Sequence, residues 1–195
     1  MKYLIFTLLT VSAVAKPPAK LIKYAQSGYQ YAKAHNITQS PLIIIVDFSQ
    51  ASNSKRLWLY DLKHNKTILE SYVAHGKGTG LTYSEKFSND SRSHQSSLGF
   101  YKILEPYNGK HGLSLKLDGL EPTNKSALKR GIVIHTANYV TPKYIIEHNR
   151  AGRSWGCFAV PKDIEQKLIE KTKDHSLVMA YYPDTKWLKS SKFLK

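Results

Sequence analysis

The sequence predicts a mainly β protein, a β-sandwich or mixed sheet with a few short helices. Many short segments are rich in β-branched and aromatic residues or alternate apolar with polar residues, which is typical of strands. Only a few segments space their apolar residues at helical intervals, and no repeat is present. The chain of 195 residues is long enough for one domain with a sizeable core.

The first 15 residues have the composition of a secretory signal peptide. Lys2 supplies a positive start, residues 4–11 are mostly apolar, and Ala13-Val14-Ala15 is a small-residue cleavage site. The apolar run is shorter than the ~20 residues that a membrane-spanning helix needs. We therefore expect cleavage after Ala15 and export to the periplasm or cell envelope, with an uncleaved anchor as the alternative.

Residues 16–41 are expected to form an N-terminal linker and a packing helix. The linker is rich in Pro and Lys, and apolar side chains recur at nearly helical spacing over residues 21–36. Residues 42–48 follow as an apolar run interrupted only by Asp47, which predicts a strand buried on both faces. This strand opens the predicted catalytic domain, which we place at residues 42–183.

A hairpin is predicted next. Residues 56–61 and 68–73 alternate in part, and the polar residues 63–66 between them favour a turn. Asp47 and Asp61 end their strands, so we interpret them as strand-end hydrogen-bond partners rather than as catalytic carboxylates.

A long loop follows the hairpin, over residues 75–97. It begins with His75-Gly76-Lys77-Gly78-Thr79-Gly80, which is no phosphate-binding loop because no Gly-Lys-Ser/Thr and no helix pattern follow. A loop of this length inside a compact domain is typically a lid or a binding loop. His75 is therefore a candidate substrate contact, with a structural histidine that hydrogen-bonds a turn as the alternative.

The second half of the chain alternates further strands with short helices. The predicted strands cover residues 98–104, 113–117, 131–135 and 177–182, with a turn at residues 106–112. The predicted helices cover residues 122–130 and 142–148 and a segment beginning at Pro161. Residues 184–195 form a basic amphipathic tail, which we expect to pack back on the domain.

The chain contains one cysteine, Cys157, directly after Gly156. An exported protein with one cysteine has no internal disulfide, so its thiol is buried, reactive or paired with another chain. Glycine leaves the N–H groups of Gly156 and Cys157 unobstructed, so they are candidate donors to an oxyanion. Upstream, residues 131–135 predict a central buried strand that ends on His135. Because a thiol needs a base to be nucleophilic at neutral pH, we predict a catalytic pair of Cys157 and His135.

This region resembles the murein L,D-transpeptidase catalytic domains of bacterial cell-wall synthesis. Their signature is a strand-end histidine followed by Ser/Thr-His-Gly-Cys, and this chain has His135 and then Ser154-Trp155-Gly156-Cys157. The resemblance is to an exported subgroup with Gly-Arg-Ser-Trp-Gly-Cys at this place. Four more segments resemble that subgroup, at residues 42–54, 74–78, 97–101 and 117–121. The resemblance thus covers about residues 42–182 and implies the family's β-sandwich.

The resemblance implies a cysteine acyltransferase that acts on peptidoglycan stem peptides, with no cofactor and no metal. Cys157 would attack the amide before a terminal D-Ala, release D-Ala and pass the resulting thioester to an amine or to water. His135 would be the base, with its other ring nitrogen oriented by the backbone carbonyl of Thr136.

Two departures from the family pattern affect substrate binding. Trp155 stands where histidine is usual, and Phe158 and Ala159 stand where a polar Arg or Asn is frequent. The group that binds the substrate carboxylate is therefore open; Arg153 is the first candidate and Arg150 the second, since arginine binds carboxylates through two hydrogen bonds. The candidate substrate-binding residues are Arg153, Arg150, Ser154, Trp155 and His75.

The formal net charge of +15 predicts contact with polyanions. For an exported protein these are peptidoglycan and anionic lipid surfaces. We expect no nucleic-acid partner, because no aromatic–basic RNA motif or zinc finger is present, and we expect a monomer.

Other functions are open on the sequence alone. A peptidoglycan cysteine hydrolase, either an L,D-carboxypeptidase or an endopeptidase, would use the same pair of residues, and a non-catalytic wall-binding protein would use only the basic surface. A zinc site is a further alternative, with His135, His148 and Cys157 as ligands and His75 or His111 as a fourth. Its spacing signal is poor, because the chain has no CxxC or HExxH.

Overall fold

A computed structural model describes residues 14–110, 112–172 and 175–195, so residues 1–13 of the predicted signal peptide lie outside the described part. The strands are β1 (Leu42–Asp47), β2 (Leu57–Asp61), β3 (Lys66–Ser71), β4 (Gly99–Gly109), β5 (Gly112–Gly119), β6 (Val133–Thr136), β7 (Phe158–Val160) and β8 (Leu177–Tyr181). The α-helices are α1 (Ala19–Ala34), α2 (Pro142–His148), α3 (Glu165–Thr172) and α4 (Thr185–Ser190).

The strands form one eight-stranded sheet in the order β3-β2-β1-β8-β4-β5-β6-β7. The sheet is mixed, because β1 pairs with β8 and β6 with β7 in parallel, whereas the other neighbours are antiparallel. The predicted fold class, mainly β with a mixed sheet and a few short helices, is confirmed.

The interior strand β1 matches its predicted burial. Ile43 to Val46 are buried without alternation, because β1 has neighbours on both edges and both of its faces are covered.

The predicted strand-end role of the two aspartates is also present. Asp47 accepts from the Ser49 N–H at 3.0 Å, and Asp61 accepts from the Lys63 N–H at 2.9 Å. Both carboxylates therefore order turns that follow strands.

The turn predicted at residues 106–112 is wrong, since β4 continues through Pro106 to Gly109. Proline lacks the N–H that a ladder needs and is usually confined to strand edges or bulges. Here β4 pairs with β8 only over residues 99–102, and its register with β5 shifts between Ile103 and Pro106. Pro106 thus lies beyond the pairing with β8 and beside a bulge, where its missing N–H removes no ladder bond to β8.

The helix predicted over residues 122–130 is also wrong, because this segment is a series of turns. The polar residues expected to cap the helix are used elsewhere. The Asn124 side chain donates to Phe100 O at 2.8 Å and accepts from the Glu121 N–H at 2.9 Å. The Thr123 hydroxyl donates to Leu98 O at 2.9 Å. These bonds tie the segment to the start of β4 and replace the helix that local pattern suggested.

The predicted central position of the histidine-bearing strand is wrong as well. That strand, β6, is second from the edge of the sheet, and the edge strand β7 has only 3 residues and was not predicted.

Helix α2 agrees with the sequence prediction, because Thr141 caps it by accepting from the Tyr144 N–H at 3.2 Å. No helix in the described part of the chain is long and apolar enough to cross a membrane.

The two ends of the described chain pack together against the sheet. Helix α1 buries Leu21, Ala25, Gly28 and Ala32 on one face, as its spacing predicts. The C-terminal tail forms α4 and a short 3-10 helix, and buries Trp187 and Phe193. The Phe193 ring stacks on Phe100 of β4 with centroids 4.9 Å apart. The division of the chain into an N-terminal linker and helix, a catalytic domain and a C-terminal tail stays a prediction.

Replacing Gly28 by alanine should destabilise the protein, although alanine is favoured over glycine in helices by about 1 kcal/mol. A Cβ at Gly28 would lie 2.2 Å from Cε1 of the fully buried Phe100 ring. Overpacking a core costs about 1–3 kcal/mol and exceeds the gain in helix propensity. We expect the free energy of unfolding, measured by urea denaturation, to fall by about 1–2 kcal/mol.

The matched control is Gln30→Ala at an exposed position of the same helix. Its free energy of unfolding should stay within about 0.5 kcal/mol of wild type. A Gly28→Ala protein as stable as wild type would contradict the packing of α1 on Phe100.

Candidate active site

The parallel pairing of β6 with β7 brings the predicted base and nucleophile to one place. Ile134 lies opposite Phe158, and His135 lies opposite Ala159. Cys157 directly precedes β7, so it is level with the start of β6 at Val133. Its Sγ lies 3.6 Å from Gly131 O. The three residue pairs between β6 and β7 thus fix the side chains of His135 and Cys157 on the same side of the sheet edge.

The histidine is held in one tautomer by a backbone carbonyl. His135 is buried, and its Nδ1 lies 2.9 Å from Thr136 O. A carbonyl only accepts hydrogen bonds, so Nδ1 carries the proton in this contact. In the neutral ring, Nε2 is then unprotonated and is the atom able to take a proton. This is the contact that the sequence resemblance implies for Thr136.

The turn before Cys157 is closed by the Ser154 hydroxyl. Ser154 Oγ donates to Cys157 O at 2.7 Å and accepts from the Gly156 N–H at 3.1 Å. Gly156 has a φ of 121°, and a Cβ there would lie 2.8 Å from Gln95 O, so only glycine fits. Because its N–H is buried and paired with Ser154, the geometry does not support Gly156 as the oxyanion donor. Ser154 organises this turn.

The Cys157 thiol is half-buried, and burial raises its pKa above the ordinary value. Three groups oppose this effect and lower the pKa of Cys157: the Val133 N–H, which hydrogen-bonds the sulfur, and the positive charges of Arg130 and Lys110. Burial prevails, so the cysteine is protonated at rest at neutral pH. A nucleophilic role for this thiol would therefore require a base to take its proton.

A cleft with a volume of about 450 Å³ opens above this pair. It is lined by Tyr107, Lys110, Arg130, Gly131, Val133, His135, Tyr139, Arg153, Ser154, Trp155 and Cys157. Five of the residues singled out from the sequence thus share one cavity, and Thr136 acts on it through its carbonyl. Arg150 and His75 do not line it.

The two candidate arginines differ in position. Arg153 is exposed at the cleft, and its Nη1 donates weakly to Lys77 O at 3.4 Å and Gly80 O at 3.3 Å. Arg150 lies outside the cleft, and its Nη1 donates to Ala151 O at 2.9 Å. Of the two, only Arg153 is placed to meet a ligand in the cleft.

Trp155 forms an exposed wall of the cleft, with 67% of its surface accessible. Its ring stacks on His94 with centroids 4.8 Å apart, and Lys77 Nζ lies 5.3 Å from its centroid. The position where the family usually has histidine therefore carries an aromatic surface.

His75 lies beneath the loop instead of in the cleft. Its side chain is fully buried, and Arg56 Nη2 lies 2.8 Å from its Nδ1. An arginine only donates, so Nδ1 accepts and Nε2–H donates to Gly80 O at 3.3 Å. Burial, followed by the charge of Arg56, lowers the pKa of His75 to about 3. The substrate contact predicted for His75 is therefore replaced by the structural alternative.

Arg56 completes this buried network beneath the 75–97 loop. Its guanidinium donates to Val73 O and to Gln50 O at 2.8 Å, and it lies over the Phe48 ring at 5.2 Å. Burial lowers the pKa of Arg56 to about 9, which still leaves it charged at neutral pH. The network holds the start of the loop, whose Gly76 bridges to Ser154 near Cys157.

Comparison with known proteins identifies the family to which the chain belongs. The family model for the L,D-transpeptidase catalytic domain matches residues 15–181. The chain belongs to the L,D-transpeptidase catalytic domain family. No curated protein matches the sequence.

Among solved structures, the Ldtfm–avibactam carbamoyl enzyme superposes with a TM-score of 0.50 at 14% identity, covering 74% of this chain and 50% of the other. The helical cell shape determining protein Pgp2 from Campylobacter jejuni gives 0.49 at 14% identity, covering 83% and 57%. An L,D-transpeptidase from Mycobacterium smegmatis gives 0.46 at 9% identity, covering 73% and 59%. The first supports the fold, and this chain spans only 50–59% of the three solved chains.

This L,D-transpeptidase domain has cleft residues that the sequence did not single out. Tyr107 and Lys110 come from the end of β4 and the turn after it, which had been predicted to be a connection outside any strand. Tyr139 follows β6, and burial together with the negative charge of a Cys157 thiolate raises its pKa to about 12. In the sequence, only Gly152 pointed indirectly to Tyr139. Glycine is required at position 152 because a Cβ there would lie 2.5 Å from the Tyr139 ring.

The zinc alternative finds no support in the described residues. Among residues 14–110, 112–172 and 175–195, no group of three or more His, Cys, Asp or Glu side chains is arranged to hold a metal ion. His111, one of the alternative ligands, lies outside the described residues.

His75 should make the protein less stable in acid. Its pKa is about 3 when folded and near 6.5 when unfolded, so between these values the unfolded state binds more protons and stability rises with pH. We expect the free energy of unfolding to fall as pH is lowered from 6.5 toward 3. His75→Gln removes this titrating group. The substitution should therefore reduce the change in the free energy of unfolding with pH by up to about 1.4 kcal/mol per pH unit.

The measurement is urea denaturation of wild type and His75→Gln at a series of pH values across that window. Glutamine still offers an acceptor to Arg56 and a donor to Gly80, so the variant is expected to fold. Identical slopes in the two proteins would show that His75 titrates normally and is not enclosed by the loop.

Proposed function

We propose that this domain is an exported cysteine acyltransferase that acts on peptidoglycan stem peptides. Cys157 would form a thioester with the peptide and release D-Ala, and the acyl group would pass to an amine or to water. The observation that carries this proposal is the 2.9 Å contact from His135 Nδ1 to Thr136 O, in the same cleft as Cys157. It leaves Nε2 as the proton acceptor beside a thiol that is protonated at rest.

The first step is attack of the thiol on the amide carbonyl. His135 Nε2 takes the thiol proton as Sγ bonds to the carbonyl carbon, which is general-base activation of a nucleophile. The resulting imidazolium keeps its Nδ1–H on Thr136 O. When the C–N bond breaks, the Nε2 proton passes to the leaving nitrogen, and D-Ala departs as a neutral amine. The peptide stays on Cys157 as a thioester.

The carbonyl oxygen becomes negatively charged during this attack and needs hydrogen-bond donors. The Gly156 N–H is paired with Ser154 Oγ, so we assign the role to the Cys157 N–H. That N–H has no hydrogen-bond acceptor within the described part of the chain. A donor of this type contributes about 2.7–4 kcal/mol to transition-state stabilisation.

In the second step Cys157 is the leaving group, and an amine or water is the nucleophile. An acceptor amine, or water, attacks the thioester carbonyl while His135 Nε2 takes its proton, and the thiolate that leaves recovers a proton from the imidazolium. An amine gives a transpeptide bond, and water gives a shortened stem peptide, which is the L,D-carboxypeptidase outcome. Both outcomes pass through the same acyl-enzyme.

The charge of the cleft supports an anionic substrate. Lys110, Arg130 and Arg153 line it, and no Asp or Glu does so among the described residues. Stem peptides carry free carboxylates, and Arg153 is the exposed cation able to bind one through two hydrogen bonds. The net charge of +15 supports a further attraction to the anionic wall or lipid surface. Both features fit a location outside the cytoplasm, in the periplasm or cell envelope.

Substituting the nucleophile or the base should separate the two roles. Cys157→Ala should abolish the covalent adduct and all turnover of purified muropeptides, because no thioester is formed. His135→Gln should slow turnover about 10²–10⁴-fold, the span typical of a general base. The measurement is mass spectrometry of both the protein and the muropeptides, which reports the acyl-enzyme, the released D-Ala and the product.

The matched control is His64→Gln, the same substitution at an exposed histidine that bonds Asp61 at the β2–β3 turn. It should leave turnover unchanged. A Cys157→Ala protein that still consumes muropeptides would refute the proposal, and a wild type that pellets with cell walls without altering muropeptides would favour the wall-binding alternative.

A further inference from the structure

Arg130 lies beside the candidate nucleophile and is held there by three acceptors. Its Nη1 donates to Ser88 O at 2.8 Å and to Ser97 Oγ at 2.7 Å, and its Nη2 donates to Gln95 O. All three acceptors belong to the second half of the 75–97 loop. A half-buried guanidinium with three fixed hydrogen bonds has one position, in contrast to a lysine on a flexible stem.

The guanidinium also packs against the turn that precedes Cys157. A Cβ on Gly156 would lie 3.0 Å from Arg130 Nη2 and 2.8 Å from Gln95 O, so this backbone is pressed against both groups. Ser96, which lies between Gln95 and Ser97 in the loop, donates from its Oγ to Gly156 O at 3.3 Å. Arg130 therefore joins the loop and the nucleophile turn, and it lines the same cleft as Cys157.

The electrostatic influence of Arg130 and Cys157 is mutual. Burial lowers the pKa of Arg130, and the charge on Cys157 raises it. Conversely, Arg130 is one of the groups that lower the pKa of Cys157 against the larger effect of burial. The titratable and charged groups around the thiol are Arg130, Lys110, His135, Tyr139 and Arg153.

We propose that Arg130 is a positioning residue of the candidate active site, which clamps the Gly156–Cys157 turn to the 75–97 loop and compensates the negative charge that Cys157 acquires. The proposal rests on the proposed function in taking Cys157 as the nucleophile. Because the guanidinium is already fixed by Ser88, Gln95 and Ser97, it does not have to reorganise when the thiol loses its proton to His135. The positive charge of Arg130 thus offsets part of the effect by which burial disfavours ionisation of the Cys157 thiol.

The test is the pH dependence of Cys157 alkylation by iodoacetamide, followed by intact-protein mass spectrometry. Arg130→Met removes the charge and the hydrogen bonds, and should slow alkylation at pH 7 by about three- to tenfold, with the midpoint of the pH profile moved upward. Arg130→Lys keeps the charge and should retain a profile near that of wild type. Turnover of muropeptides should fall in both variants, because neither restores the three-acceptor clamp.

The matched control is Lys129→Met, which removes the same unit of charge from an exposed neighbour outside the cleft. Its alkylation profile should match wild type. Circular dichroism checks folding, and Arg130→Gln replaces Arg130→Met if the latter does not fold. If neither neutral variant folds, the turnover of Arg130→Lys decides: reduced turnover in a folded protein supports the clamp, and turnover equal to that of wild type overturns it.

An unchanged alkylation profile in a folded neutral variant would overturn the proposal. This result is distinct from failure of the proposed function, because the alkylation assay contains no stem peptide. A shifted profile without any muropeptide product in wild type would refute the acyltransferase proposal and leave the role of Arg130 standing. Product formation with an unshifted profile would do the opposite.

Discussion

The parallel pairing of β6 with β7 is the constraint on which the candidate site depends. Its three residue pairs place His135 opposite Ala159 and leave Cys157 just before the shorter strand. Because β7 is the edge strand, the nucleophile turn is supported on its other side by loops rather than by a further strand. The 75–97 loop supplies that support through Gly76, which bridges to Ser154, and through Ser96, which bonds Gly156.

The chemistry of the site follows from the balance between burial and charge at Cys157. Burial keeps the thiol protonated, and the cations at the cleft reduce but do not reverse this effect. The proposed reaction therefore depends on a histidine whose unprotonated nitrogen can take the thiol proton. Thr136 provides this by holding the proton on the other nitrogen.

Local signals predicted the fold class, β1, the β2–β3 hairpin and α2, because these features depend on runs, caps and neighbours close in sequence. The expectation that Cys157 and His135 meet came from a lone cysteine after glycine, a strand-end histidine and the family resemblance, and the fold places both residues in one cleft. The sequence failed where distant contacts decide: residues 122–130 form turns because Asn124 and Thr123 bond β4 rather than a helix end. Arg130 and Tyr139 were missed for the same reason, since only the fold brings them to Cys157. For His75 the sequence left both a substrate contact and a structural role open, because no local pattern reveals its burial against Arg56.

The central claim is that the Thr136 carbonyl fixes the neutral ring of His135 in the tautomer that carries its proton on Nδ1, so that Nε2 is unprotonated. The most direct measurement is a ¹⁵N–¹H long-range correlation NMR spectrum of the protein with labelled histidine, in which His135 is assigned by comparison with His135→Gln. The account predicts that the neutral ring of His135 is the Nδ1–H tautomer. A neutral ring with the proton on Nε2 would contradict it, because the unprotonated nitrogen would then be Nδ1, which faces Thr136 O.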